Sequence, residues 1–381
     1  MVDIYLFRTL LRAIPDTMQV VLVGDKDQLP SVGPGQVFFD LLSSHRIKAM
    51  ELNTIYRQDD DSSIIPLAHD VKMGRLPADF TQNKPDRSFI RCNAYQMPSV
   101  IEQIVGKAKE RGFTADDFQV LAPMYRGPAG VTRLNTIIQE IMNPLSDTRK
   151  KEVEFRGEKF RIGDKVLHLV NSPENNVFNG DIGNIVGITF AKAKGNTDKV
   201  DKLTVAFDQT EVTYPRNEWD KLTLAYCTSI HKAQGSQFKM VILPMVMQYS
   251  RMLQRNLLYT AITRAKSTLI LLGEQGAFEQ SVKRQSVNRN TALVDRITAT
   301  ISDVQESIAD QQAADKPAPK KQADQSADTP ADSADPAETP TDDQAPALLN
   351  DGILTMSLVS SGQIDPMIGM GKVTPKSFTN K

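Results

Sequence analysis

The chain has 381 residues, 40% of them hydrophobic, a formal net charge of −1 and two cysteines. That length allows one large domain or a few small ones with a sizeable core, and the distant Cys92 and Cys227 exclude a disulfide framework and a cysteine-based zinc site. With no apolar run of about eighteen residues, we expect a soluble, cytoplasmic protein with no membrane partner.

The N-terminal region reads as a helix, a strand and a loop. Apolar residues at helical spacing predict a helix over 4–14, and the apolar, β-branched run 19–23 predicts a buried strand. The loop 24–35, GDKDQLPSVGPG, fixes Asp25 and Gln28 at the end of that strand. A carboxylate and an amide there can hold metal-bound water or sense a terminal phosphate. For Gly-Asp alone, a polar turn capped by Asp25 is the alternative.

The middle of the chain alternates between helices and strands. A short strand-like run precedes Tyr-Arg-Gln at 56–58, where Arg57 has the planar fork that suits phosphate, although a lone arginine is usually a surface residue. Periodicity predicts helices over 63–71, 95–111 and 131–141 and a buried strand over 118–123. This alternation predicts an α/β domain with a parallel sheet.

From 152 to 214 the pattern changes to short, glycine-punctuated strands. Such segments predict a small β-barrel inserted into the sheet domain. Within it, VFNGDIG at 177–183 carries Asn179-Gly180, which predicts an Asn-Gly hairpin between apolar flanks, with a simple turn as the alternative.

The segment LTLAYCTSIHKAQGSQFKMVILP begins at residue 222 and joins two apolar runs. We expect both runs, 222–227 and 240–244, to be buried strands of the parallel sheet. Between them, 228–237 presents hydroxyl, imidazole, ammonium and amide groups without acids at a strand end, where open α/β sheets bind ligands. Such donors suit an anionic partner, and a solvated loop is the alternative.

The last elements are a helix, a strand and a long tail. Apolar residues from 253 to 262 line one helix face, and Arg264 stands between that helix and the strand 269–273, where it can simply complement the helix dipole. The stretch 301–350 holds eleven acidic residues against three lysines, which leaves the rest of the chain net basic. This composition predicts a disordered linker. The apolar residues of 364–370 are either a docking peptide for a protein partner or an unimportant tail.

Several of these strings resemble motifs of the RecD-like superfamily 1 DNA helicases. GDKDQLPSVGPG resembles motif III, YRQ motif IV, TSIHKAQG motif V and LYTAITRA motif VI, and they follow one another in helicase order between residues 21 and 265. GDKV…VFNGDIG resembles the SH3-like insertion of the same family. The resemblance implies RecA-like α/β motor domains carrying a small SH3-like β-barrel.

The resemblance also implies a domain division. We expect a remnant of the first RecA-like domain with motif III, a second RecA-like domain in two parts around the barrel insertion, a linker and a tail peptide. The corresponding ranges are 1–46, 47–150, 151–215, 216–300, 301–352 and 353–381.

Site residues follow from the same motifs. The resemblance implies catalytic roles for Gln28, Arg57 and Arg264, with Arg264 as an arginine finger. It also implies that these three residues and Asp25 contact ATP, which binds with Mg²⁺. It implies single-stranded DNA contacts through the set Thr228, His231, Lys232 and Asn179. Gln237 replaces a glutamate that is usual near the end of motif V, which puts its nucleotide contact in doubt.

Two motifs of the family are missing from the printed sequence. It contains no G-x-x-x-x-G-K-[ST] loop and no Asp-Glu pair before motif III, so the chain is expected to begin inside motif II. Two hypotheses therefore stand. Either this is the C-terminal motor part of an ATP-dependent 5′-to-3′ helicase of DNA repair and recombination, or it is a DNA- or partner-binding module that does not hydrolyse ATP.

Overall fold

The computed structural model describes residues 2–15, 17–52, 62–145, 151–286 and 289–300. Among the described residues up to 286, the α-helices are α1 (Ile4–Ala13), α2 (Val37–Ser43), α3 (Ile64–Lys72), α4 (Met97–Glu110), α5 (Val131–Met142), α6 (Arg255–Ile262) and α7 (Gln275–Lys283). The strands are β1 (Arg87–Arg91), β2 (Phe118–Ala122), β3 (Glu152–Phe155), β4 (Glu158–Arg161), β5 (Lys165–His168), β6 (Ile182–Thr189), β7 (Lys202–Ala206), β8 (Glu211–Pro215), β9 (Leu222–Leu224), β10 (Cys227–Ser229), β11 (Phe238–Met245) and β12 (Ala265–Gly273).

A five-stranded parallel sheet forms the centre of the main domain. Its order is β1-β12-β11-β2-β10, and every neighbouring pair is parallel. Because side chains alternate across a strand, Ile242 packs with α4 and α5 on one face, whereas Val241 and Leu243 pack with α3, α6 and α7 on the other. The predicted α/β architecture is confirmed.

The inserted barrel is antiparallel. Its five-stranded sheet has the order β8-β7-β6-β5-β9, and β3 pairs with β4 beside it. The link from β3 to β4 is Arg156-Gly157, both with positive φ (51° and 83°), as a two-residue hairpin turn requires. The fully buried Trp219 lies in the barrel core and donates its Nε1–H to Tyr214 O at 2.9 Å. The predicted SH3-like insertion is confirmed.

The predicted single strand over 222–227 is wrong. β9 pairs antiparallel with β5 in the barrel, whereas β10 pairs parallel with β2 in the main sheet. Between them, Ala225 O and Tyr226 O both accept hydrogen bonds from Gln119 Nε2, at 3.0 and 3.3 Å. This buried amide satisfies the backbone where the chain crosses from one sheet to the other, so the apolar run serves two sheets.

The predicted strand over 19–23 is also wrong. In the structure this run joins no β-ladder, and Val21 and Val23 are 78% and 91% exposed. A strand needs a neighbour for its backbone N–H and C=O groups, and none of the described residues provides one. The N-terminal region is held instead through Phe7, Val37 and Leu41, against which Leu293 and Ile297 pack.

None of the helices in the described ranges combines the length and apolar character that crossing a membrane requires.

Candidate functional site

The loop after residue 23 holds Asp25 and Gln28 in one hydrogen-bonded turn. The Asp25 carboxylate accepts from Asp27 N at 3.0 Å and from Gln28 Nε2 at 3.1 Å. Tyr259 of α6 donates its hydroxyl to the same carboxylate at 3.0 Å, and burial together with the Asp25 charge raises the pKa of Tyr259. Asp25 therefore caps its own turn and also joins the turn to the helix that precedes Arg264.

Arg264 lies against this turn. Its side chain follows α6 directly, is only 5% exposed, and donates Nε–H to Thr260 O at 3.1 Å and Nη1–H to Ser236 O at 3.0 Å. Its Nη2 lies 3.1 Å from Thr263 Oγ1 and 3.4 Å from Gln28 Oε1. The structure thus brings Arg264 and Gln28 together, from residues far apart in sequence, while their role toward a nucleotide stays a prediction.

Residues 228–237, here called the linking loop, contact both the barrel and this arginine. Near its start, Lys232 Nζ donates to Asn179 Oδ1 of the barrel at 2.7 Å. Further along, Gln234 Nε2 donates to Leu29 O at 2.7 Å, and Ser236 O accepts the bond from Arg264. One short loop therefore links the barrel turn to the turn that holds Gln28.

The start of the linking loop is held inside the main sheet. Thr228 is 5% exposed, and its Oγ1 accepts from Gln119 Nε2 at 3.4 Å. His231 is half-buried, and burial, which disfavours the charged form, lowers the pKa of its imidazole. Thr228 is placed to anchor the loop rather than to contact a ligand directly, and Lys232 is the charged group that the loop presents.

At the barrel residues that meet Lys232 the chain turns at Asn179-Gly180, but the predicted Asn-Gly hairpin is wrong, because β5 ends at His168 and its partner β6 begins only at Ile182. Asp181 N donates to Phe178 O at 3.0 Å, Phe178 N donates to Asp181 Oδ2 at 2.7 Å, and Gly180 has φ +108°. This positive φ explains the glycine. The turn belongs to the long connection between β5 and β6, and Asn179 is exposed there.

For two further predicted residues, the structure shows no side-chain hydrogen bond to Gln28 or Lys232 within the described ranges. Gln237 is exposed at the end of the linking loop, directly before Phe238, whose N–H donates to Arg264 O at 2.9 Å. Arg57 lies outside the described residues.

The residues present fit one end of ATP better than its metal. A guanidinium and an amide, from Arg264 and Gln28, suit the terminal phosphate. For Mg²⁺, the described part of the chain contains no group of three or more His, Cys, Asp or Glu side chains that could hold a metal ion. The Asp25 carboxylate already accepts three hydrogen bonds. Within the described ranges, the side chains around this site therefore do not form a Mg²⁺ site.

One positioning residue gave no signal in the sequence. Arg289 donates to three carbonyls of the motif III loop, with Nη1 2.7 Å from Gly35 O and 2.5 Å from Gly33 O and Nη2 2.8 Å from Ser31 O. Through these bonds a residue that follows α7 holds the loop that carries Gln28. A lone arginine in a polar stretch cannot be recognised as such a clamp, because its partners are backbone atoms.

Three family models match successive parts of the chain. The AAA domain matches residues 1–94, the SH3 domain of ATP-dependent RecD-like DNA helicases matches 134–207, and the UvrD-like helicase C-terminal domain matches 224–272. The last range contains the linking loop and Arg264, and the second contains the barrel turn.

Curated relatives match over most of this chain. An ATP-dependent RecD2 DNA helicase of Deinococcus radiodurans is 33% identical over 300 residues, which cover 77% of this chain and 38% of the relative. A RecBCD enzyme subunit RecD of Mycolicibacterium smegmatis is 28% identical, covering 78% and 52%. The chain thus spans about half the length of these relatives or less. Among solved structures, Bacteroides Pif1 bound to ssDNA has a TM-score of 0.43 at 18% identity, covering 75% of this chain and 68% of that one.

Proposed function

Because this chain belongs to the RecD-like family of superfamily 1 DNA helicases, we propose that it forms the motor part of an ATP-dependent helicase that translocates 5′ to 3′ on single-stranded DNA. The processes in which this helicase acts are DNA repair and recombination. The observation that carries the proposal is the linking loop, which bonds to Asn179 of the barrel through Lys232 and to Arg264 through Ser236.

Through these contacts the linking loop can couple nucleotide binding at Arg264 and Gln28 to DNA binding at Lys232. On the nucleotide side, Arg264 Nη2 makes the longest of the arginine's contacts, 3.4 Å to Gln28 Oε1, beside a bond of 3.1 Å to Thr263 Oγ1. We therefore expect Nη2 to be the donor that turns to a phosphate while Nη1 keeps Ser236 O at 3.0 Å. On the DNA side, Lys232 joins the end of β10 to the barrel through its bond to Asn179, and His231 precedes it in the loop. ATP with Mg²⁺ supplies the free energy of hydrolysis in the complete enzyme. A shift at Gln28 reaches Lys232 through the Gln234–Leu29 bond and the loop backbone.

Lys232→Ala tests the DNA side. An ammonium that neutralises one phosphate releases counterions, so its removal is expected to flatten the slope of log K against log[salt] by about 0.7. Binding of a labelled oligonucleotide is measured by fluorescence anisotropy at several salt concentrations. We expect little sequence preference, because phosphate contacts carry no sequence information.

A matched control is Lys239→Ala, which removes a surface lysine paired with Asp117 at 3.5 Å on a strand of the main sheet. Its salt slope should equal that of the wild type. If Lys232→Ala also runs parallel to the wild type, Lys232 is a solvated residue and the DNA side of the proposal fails.

A second candidate, a single-stranded DNA-binding module that does not hydrolyse ATP, is favoured by one sequence observation. The 381 residues contain no G-x-x-x-x-G-K-[ST] loop, so they offer no backbone cradle and no lysine for the β- and γ-phosphates. We expect the purified chain to show no DNA-stimulated phosphate release. Release that depends on DNA and is abolished by Arg264→Ala would reject this candidate.

A further inference from the structure

The chain that follows α7 returns to the motif III loop, and its residues 289–297 are here called the strap. α7 ends at Lys283, and the next residue is held to α6, because Arg255 N donates to Arg284 O at 2.8 Å. Further along, Arg289 bonds to the loop that carries Gln28. None of the site residues that the motifs imply lies in the strap.

The Arg289 side chain bonds to main-chain atoms of the loop. Nη1 donates to Gly33 O at 2.5 Å and to Gly35 O at 2.7 Å, and Nη2 donates to Ser31 O at 2.8 Å. These carbonyls belong to alternate residues, and one guanidinium reaches all of them because its donors form a fixed, planar fork. In the described part of the chain no acidic side chain forms an ion pair with Arg289. The side chain is thus a clamp on the course of the loop backbone.

The start of α1 bonds to the same stretch of the loop. Ile4 N donates to Pro34 O at 3.0 Å. A Cβ at Gly33 would lie 2.0 Å from Asp3 Oδ2, and Gly35 has φ +86°. Both positions need glycine, the first for the close approach of Asp3 and the second for its backbone conformation. The loop is therefore held between α1 and the strap.

The rest of the strap is fixed to α1 and α2. Arg289 N donates to Gln36 Oε1 at 3.3 Å. Thr291 Oγ1 donates to Asp40 Oδ2 at 2.6 Å, and Asp40 is only 2% exposed. Residues 293–300 are helical, and two apolar side chains of this helix, Leu293 and Ile297, pack against the cluster of Phe7, Val37 and Leu41. The strap therefore has an apolar anchor besides its clamp.

The link between the two held ends is short. From Arg284 to Arg289 the chain advances by five residues, which span at most about 18 Å when fully extended. Arg284 is held to α6, and Arg289 is held to the loop. While both sets of bonds are made, the loop cannot move farther than this length from the start of α6.

The contacts of Gln28 on the nucleotide side are of another kind. Arg264 Nη2 lies 3.4 Å from Gln28 Oε1, and a phosphate that binds Arg264 competes for this donor. The next residue is held by α6, since Leu29 N donates to Thr260 Oγ1 at 2.9 Å. The contacts with the strap begin only at Ser31, and there the Arg289 donors are taken up by loop carbonyls.

We propose that the strap is a tether that keeps the motif III loop in place while Arg264 exchanges Gln28 for phosphate, and that Arg289 is a positioning residue for Gln28. The inference rests on the proposed function, since the position of Gln28 matters only where a nucleotide is hydrolysed. The strap bonds persist through the exchange because no phosphate competes for their donors. A group that is held in place before the reaction adds no ordering cost to the chemical step.

Hydrogen exchange of the full 381-residue chain tests the tether without nucleotide or DNA. The reporter is the amide of Leu29, which donates to Thr260 Oγ1. Arg289→Ala removes three hydrogen bonds from the loop, so this amide is expected to exchange about tenfold faster. Arg289→Lys replaces the fork by a point charge and should recover only part of the protection. Exchange in β11 should equal that of the wild type in both variants, which excludes general unfolding.

The matched control is Arg296→Ala, which removes an exposed arginine from the helical part of the strap chain. The charge that is lost is the same as in Arg289→Ala. Exchange of Leu29 at the wild-type rate in this control assigns the effect to the clamp, whereas an equal acceleration in both variants overturns the clamp.

A double-mutant cycle in the complete enzyme tests whether Arg289 acts through Gln28. Arg289→Ala is expected to lower kcat about tenfold or more while KM for ATP stays within about twofold, because a displaced group is lost from the chemical step rather than from binding. In a Gln28→Ala background the same change should cost nothing further. A purely structural role predicts the opposite, namely that the two losses multiply.

The outcomes distinguish this inference from the function on which it rests. If Leu29 exchanges in Arg289→Ala at the wild-type rate, the tether is overturned and the proposed function stands. If exchange accelerates but the losses of Arg289→Ala and Gln28→Ala multiply, the positioning role is overturned and the proposed function again stands. If the complete enzyme does not hydrolyse ATP, the proposed function and the positioning role fail together.

Discussion

Arg264→Ala is expected to lower the kcat of the complete enzyme by about 10³ or more while single-strand affinity stays nearly unchanged, because the arginine finger that we propose for Arg264 acts on charge that develops only in the transition state. The geometry supports this division. Arg264 faces Gln28 at 3.4 Å, and it meets the linking loop through the backbone of Ser236 rather than through Lys232. The measurement is steady-state ATP hydrolysis with saturating DNA, together with anisotropy of a labelled strand.

Arg264 is also a structural cross-link, so a stability control is needed. Its bonds to Thr260 O and Ser236 O join α6 to the linking loop, and their loss lowers the free energy of unfolding independently of catalysis. Arg264→Lys keeps a charge but loses the fork, so it should recover stability without recovering the rate. A parallel loss of DNA affinity in both variants would make Arg264 a DNA contact and contradict the arginine-finger assignment.

The main sheet could be predicted from sequence because its strands are continuous apolar runs between helical patterns. The predicted strand 118–123 matches β2 to within one residue, and the predicted helix 131–141 matches α5 (Val131–Met142). In both cases the spacing of the apolar residues shows which side chains of the element are buried. The sharp change to short, glycine-punctuated strands likewise marked the barrel, whose hairpin turns need positive φ at defined positions.

The two strand errors share one physical cause. An apolar run shows that a segment can be buried but not what it pairs with. Residues 19–23 have strand composition and find no partner strand, whereas 222–227 is divided between two sheets at Ala225 and Tyr226. Pairing is a long-range property, and sequence patterns are local.

The site was predicted in its residue types and only partly in its arrangement. The donors of the linking loop were visible in the sequence, and so was Gln28, because each follows an apolar run. The contact of Lys232 with Asn179, the burial of Thr228 and the clamp by Arg289 all join segments far apart in the chain. No spacing rule reports such contacts, so they had to come from the structure.

The buried Asp164 holds the barrel against the main domain, and we expect its replacement to lower the free energy of unfolding strongly. The carboxylate is fully buried and accepts four hydrogen bonds. The donors are Gln139 Nε2 at 2.6 Å, Arg161 N at 2.6 Å, Asn143 Nδ2 at 2.6 Å and the Tyr226 hydroxyl at 2.9 Å. These donors come from α5 and its end, from β4 and from the crossing between the two sheets, so one side chain ties three segments together.

Asp164→Ala is expected to lower the free energy of unfolding by about 3–5 kcal/mol, because it leaves buried donors without an acceptor rather than removing a matched pair. Trp219 is the single tryptophan and is buried in the barrel, so its fluorescence during urea unfolding reports the transition where the effect is largest. The matched control is Asp208→Ala, an exposed aspartate for which a change within about 0.5 kcal/mol is expected. Equal unfolding midpoints for the two variants would contradict a linking role for Asp164.

The effect of Asp164→Ala on the free energy of unfolding, relative to the wild type, should also depend on pH. Burial raises the pKa of Asp164 despite its hydrogen bonds, so the folded state holds the proton to higher pH than the unfolded state does. For such a group the stabilisation is fully present below the unfolded pKa of about 3.9 and decreases as pH rises through the folded value. The difference in free energy of unfolding between wild type and Asp164→Ala should therefore narrow as pH rises across that window and then stay constant. A gap that widens over the same window would mean that the four hydrogen bonds outweigh burial and that the carboxylate is held in its charged form.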